Sequence, residues 1–176
     1  DGKYNNVSYG GSETPDDSDG DWLVNWVIGY KDGASLQKEW ILGPVDHSTP
    51  AIQSPPGMPS WYYGTDITEE ERESFNAFRA TWATRQSVAY VGARDGMIHA
   101  FDAGRLRWGD NPQTEIKENR GYFEWQTAGD SSSADYGTGR ELWAFIPANL
   151  MPRLKNNLLQ AEDQAYVDAS PTLADV

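Results

Sequence analysis

The chain contains no cysteine, which removes disulfide bonds and thiolate metal sites from its 176 residues. Cations are also scarce. Fourteen Lys and Arg against 27 Asp and Glu give a formal charge of −13, which argues against nucleic-acid or anionic-membrane binding, because phosphate contacts need a basic footprint. Long apolar runs are missing: no stretch approaches the roughly 18 residues needed to span a bilayer, and no charged-then-apolar leader stands at the start. His47 and His99 are the only histidines. They fall on different predicted strands without cysteine partners, so a structural role is read for both rather than metal ligation. Ser48, Ser87 and Ser170 lack a G-x-S-x-G context, and no Gly-rich phosphate loop opens a helix, so no catalytic constellation emerges.

What the chain does have is 38% hydrophobic and 12% aromatic residues, enough for one ordinary core. Residues 88–102 (VAYVGARDGMIHAFD) form the strongest local signal: two runs rich in β-branched and aromatic residues, joined at Asp95-Gly96. That pattern predicts a hairpin with strands near 87–93 and 97–102. Residues 141–147 (ELWAFIP) predict a third strand. Residues 45–52 and 167–173 share a V-D-x-S pattern followed by Pro and an aliphatic residue, and each reads as the first strand of a repeated blade.

The spacing of these repeats leaves room for insertions. Thr68 and Glu71 form a capping box, and Phe75, Phe78 and Trp82 recur at helical spacing, which predicts a helix over about 69–83 inside an insertion at 65–84. A second helix is expected within 148–162, with Leu150, Leu154 and Leu158 on one stripe. Residues 103–139 read as a long surface excursion around the aromatic patch Tyr122, Phe123 and Trp125, which either supply aromatic area for a surface contact or pack against a neighbouring blade. Trp40, Trp82 and Trp143 are expected to anchor the core rather than to offer sugar platforms. Residues 1–20 read as a linker, and 21–44 as a helix and a segment leading into the sheet domain.

The run Asp16-Asp17-Ser18-Asp19-Gly20-Asp21 gathers the oxygen ligands that Ca²⁺ prefers, which makes Asp17, Asp19 and Asp21 calcium candidates. An EF-hand counted from Asp17 would place Ile28 where a bidentate Glu is required. A solvated linker ending in Asp21 as the N-cap of a helix over 22–28 is therefore the favoured reading.

Residues 88–102 and 141–147, together with 22–30 (WLVNWVIGY), 40–50 (WILGPVDHSTP), 147–154 and 166–176, resemble the PilY/PilC family associated with type IV pilus tips. Pro44 and Arg94 depart from the family's usual Asp and Asn. The resemblance implies a mainly β fold: part of a quinoprotein-like β-propeller, about one blade plus the start of the next, over residues 45–176, with helical and long-loop insertions and an end inside the domain. It implies a non-enzymatic fragment of a tip-associated protein at the cell surface that supports pilus assembly, adhesion and motility. Minor pilins, the rest of the propeller and a host or abiotic surface receptor would be its partners. Calcium is implied in a part of the protein beyond this chain. The other reading is a calcium-dependent pyrroloquinoline quinone dehydrogenase, which shares the blade signature.

Overall fold

A computed structural model of the chain describes residues 17–30, 35, 37–39, 41–154 and 167–175. They are mainly β, with two α-helices: α1 (Asp17–Val27), β1 (Ala51–Gln53), α2 (Glu69–Thr81), β2 (Val88–Gly92), β3 (Ile98–Asp102), β4 (Leu106–Arg107), β5 (Tyr122–Phe123) and β6 (Glu141–Phe145). One sheet has four strands in the order β1-β2-β3-β6, and a second pairs β4 with β5. The chain divides into two compact units: residues up to 49 with 91–99 and 144–170, and residues 50–90 with 100–143 and 171 onward.

In the first unit, α1 carries Leu23, Trp26 and Val27 at the three- and four-residue spacing that gives a helix one apolar face. Val27 is buried with Met97 and Leu154, and Leu23, Trp26 and Ile146 pack around them. Lys38 sits over the Trp26 ring, 3.5 Å from its centroid. The expected linker therefore ends earlier than residue 20, because α1 already begins at Asp17. Asp21 is an exposed interior position of that helix rather than its N-cap. Acidic residues in a first turn complement the positive end of the helix dipole, which the reading of the run as a linker overlooked.

The turn between β2 and β3 forms where the Asp-Gly pair predicts it: Ala93 N donates to Met97 O at 3.0 Å, and Gly96 has φ +94°. Asp95 accepts from Met97 N at 3.0 Å and from Gly43 N at 2.9 Å. His99, 2% exposed, places Nε2 3.0 Å from the same carboxylate. A Cβ at Gly43 would stand 2.8 Å from Asp95, so only glycine permits this approach.

Of the two V-D-x-S segments, only Ala51 and Ile52 at the end of the first are strand in the described residues, as the start of β1. Prolines at 44, 50 and 171 remove ladder donors, and side chains make the connections instead. Asp46 pairs with Arg94 at 3.0 Å and Ser48 Oγ accepts from Gly92 N at 2.9 Å. Asp168 meets both the backbone N and the ring of His47, and Ser170 Oγ accepts from Thr49 N at 2.9 Å. Each repeat thus uses its Asp and its Ser to hold a segment distant in sequence.

In the second unit, β1 pairs antiparallel with β2, Ala51 opposite Tyr90 and Gln53 opposite Val88. Helix α2 begins as the capping box dictates: Thr68 N donates to the Glu71 carboxylate at 2.8 Å and Glu71 N donates to Thr68 Oγ1 at 3.2 Å. Trp82 is the C-cap of α2, and both it and Trp143 are 46% exposed rather than buried anchors. Every residue of β6 is exposed; Trp143 makes a tilted contact with Tyr90, at 5.6 Å between centroids. Trp40 lies outside the described residues. So do residues 155–162, Leu158 among them, and with them most of the second expected helix; before them Leu150 and Leu154 are buried, with a 3₁₀ turn, Met151–Arg153, between them.

Candidate functional site: a clasped excursion

The excursion at 103–139 opens and closes on two D-x-G turns, Asp102-Ala103-Gly104 and Asp135-Tyr136-Gly137. In each, the carboxylate accepts from the glycine N two residues on, at 3.1 and 3.0 Å. The turns lie against one another: Arg105 N donates to Asp135 O at 2.9 Å and Gly139 N to Asp102 O at 3.1 Å. Gly104 and Gly137 have φ near +85° and +84°. A Cβ on Gly104 would fall 2.2 Å from Asp135 O, and one on Gly137 would fall 2.4 Å from Gly104 N. Backbone is packed against backbone here, at a distance that no side chain permits.

Asp102 is the centre of this clasp. Its carboxylate accepts from Thr138 N and Thr138 Oγ1, both at 2.9 Å, from Gln86 Nε2 at 2.6 Å and from Gly104 N. These donors, the Thr138 amide foremost, hold its pKa far below the ordinary aspartate range. Ser87, buried beside the neck, completes it through Ser87 N to Gly104 O at 2.8 Å and Ala103 N to Ser87 O at 3.0 Å.

Beyond the neck the excursion is built rather than loose. β4 and β5 pair with Leu106 opposite Phe123 and Arg107 opposite Tyr122. Glu124 N donates to Arg105 O, Asp135 N donates to Glu124 O, and Trp125 bridges to Ala134. Arg107, only 7% exposed, pairs with Glu124 at 2.7 Å and donates to Leu106 O and Arg85 O. Tyr122, Phe123 and Trp125 are each half-buried, with the Phe123 ring 4.7 Å from that of Tyr136. The more open aromatic is Tyr136, at 67%.

The excursion also reaches the Pro-rich segment 54–64. Proline supplies no N–H, and four side chains catch the carbonyls of this segment: Arg85 donates to Ser54 O, Trp108 to Pro55 O at 2.7 Å, Arg79 to Pro56 O at 3.1 Å, and Arg72 to Tyr62 O and Gly64 O. Arg85 also pairs with Asp175 at 2.5 Å.

The calcium candidates stand apart from this construction. Asp17, Asp19 and Asp21 are positions of helix α1 and not of a turn. Among the described residues, no three His, Asp or Glu side chains are gathered so as to hold a metal ion. No helix among them is long and apolar enough to cross a membrane.

Comparison with known proteins places the likeness of this chain among type IV pilus biogenesis factors. The particular relatives carry the name PilY1. A PilY1 homologue of Xylella fastidiosa strain Temecula1 is 31% identical over 137 residues, 77% of this chain and 8% of its own length. PilY1 of Pseudomonas aeruginosa strain UCBPP-PA14 is 27% identical over 173 residues, 90% of this chain and 11% of its own. A further Xylella PilY1 homologue is 31% identical over 104 residues, 53% of this chain and 7% of its own. The chain therefore spans only a small part of the curated relatives it matches. No family model and no solved structure matches it.

Proposed function

We propose that this chain is a segment of a PilY-type pilus biogenesis factor, non-enzymatic, forming part of a β-propeller that acts outside the cell at the pilus tip in assembly, adhesion and motility. Minor pilins and the remaining blades are its partners in this reading, and calcium belongs to a part of the protein beyond it. The observation that carries the reading is the sequence likeness to PilY1 proteins over 77% and 90% of this chain.

Within that reading, the 103–139 excursion is the surface contact, with Tyr122, Phe123 and Trp125 shaping its hairpin and Tyr136 open to a partner. A rigid neck carrying aromatic residues presents them at low entropic cost on binding. The neck also makes a clean test possible, because Arg105 and Asp135 are adjacent across it. Replacing residues 106–134 by two glycines in the full chain is expected to leave pilus number unchanged and to abolish surface attachment; attachment at the original level would refute the contact. Replacing Tyr122, Phe123 and Trp125 by Ser is expected to weaken attachment as well. A quinone absorbance in the purified full chain would instead favour the dehydrogenase.

A further inference from the structure

Helix α2 and the Pro-rich segment enclose a groove of about 1010 Å³ that the proposed contact does not use. Its two walls are tied to one another. Arg72 and Arg79 tie α2 to the segment through three carbonyls, and Trp61 meets Phe75 edge-on at 4.9 Å. Trp61, Phe75 and Phe78 make the lining aromatic, and Trp61 remains 49% exposed. Among the described residues, the charged ones lining the groove are Glu70, Glu71 and Asp175, and no Lys, Arg or His lines it.

These carboxylates are not equivalent. Asp175 is matched by Arg85. Glu71 is engaged by the amide and hydroxyl of Thr68, neutral donors that leave its charge in place. Glu70 follows Glu69 in the first turn of α2, and the neighbouring Arg72 lies 3.7 Å from Glu69. An acidic field over an aromatic wall repels anions. It leaves a neutral sugar half-recognised, whereas a cation beside an aromatic face is attracted by both.

We propose that this groove binds a short basic and aliphatic peptide segment of a partner protein, with a Lys or Arg side chain between Trp61 and Glu70 and aliphatic neighbours along Phe75 and Phe78. The test is calorimetric titration of the full chain with the capped peptide Lys-Leu-Arg-Leu-Lys, and with its counterpart carrying Glu at the three basic positions. One saturable site for the basic peptide is expected, severalfold weaker at high salt, with the acidic peptide at least tenfold weaker. Glu70→Gln should weaken the basic peptide at least threefold, while Glu118→Gln, in the excursion, should leave it unchanged. Equal losses from the two substitutions would reduce the binding to general attraction by an acidic chain and overturn the proposal. So would absence of saturation, or binding of chitotriose where the basic peptide does not bind.

Discussion

The β2–β3 turn and the neck of the excursion each set an aspartate near a positive-φ glycine, and they differ in what they hold. At the β2–β3 turn, Asp95 bonds Met97 N two residues on and reaches Gly43 N, with the buried His99 ring against its other side. At the neck of the excursion, Asp102 bonds Gly104 N two residues on and reaches Thr138 and Gln86, all neutral donors. The first closes a local hairpin and ties its turn to the Gly43 amide. The second joins two turns whose aspartates, Asp102 and Asp135, are 33 residues apart in sequence, and it does so with D-x-G geometry in place of a ladder. The same Asp–Gly chemistry therefore ends a strand pair in one place and sets up a new element in the other.

Breaking the neck sterically should have the largest effect. Gly137→Ala forces a Cβ to within 2.4 Å of Gly104 N at φ +84°, and left-handed backbone alone costs about 1–2 kcal/mol for an ordinary residue. With the overlap added, a loss of at least about 3 kcal/mol is expected, read as lost protection of the excursion in hydrogen exchange. Removing the charge at each turn should come next and separate the two. Asp102→Asn is expected to raise exchange at Gly104, Arg105 and Thr138 on the order of tenfold, as one or two charge-assisted hydrogen bonds are lost. Asp95→Asn should raise it at Gly43 and Met97. Identical exchange patterns from the two variants would erase the distinction drawn between the turns.

The hairpin was legible because its turn and both strands lie within fifteen residues, and the α2 start because the capping box is local. The neck was not, since nothing in Asp135-Tyr136-Gly137 announces that it faces Asp102-Ala103-Gly104. The Pro-rich segment hid for a related reason: its carbonyl partners, Arg72, Arg79, Arg85 and Trp108, are scattered over the sequence. The V-D-x-S repeat was visible as a repeat, yet its prolines turned the expected strands into side-chain docking sites. Trp143 was read as core because alternation marks a strand and not what lies against it. In α1 an acidic run was read as a linker although it suits the first turn of a helix.

Hydrogen exchange of the full chain, followed across 103–139 as pH is lowered, shows whether the Asp102 carboxylate clasps the neck of the excursion. The folded pKa of Asp102 lies below its unfolded value of about 3.9, so its contribution to stability is present above that value and is lost as pH falls below it. The amides of Ala103, Arg105, Glu124 and Thr138 are expected to be protected on the order of a hundredfold or more at neutral pH. Their protection should weaken once the solution becomes more acidic than the ordinary aspartate range, and Asp102→Asn should remove that pH dependence. Exchange at free-peptide rates throughout 103–139 at neutral pH would contradict the clasp.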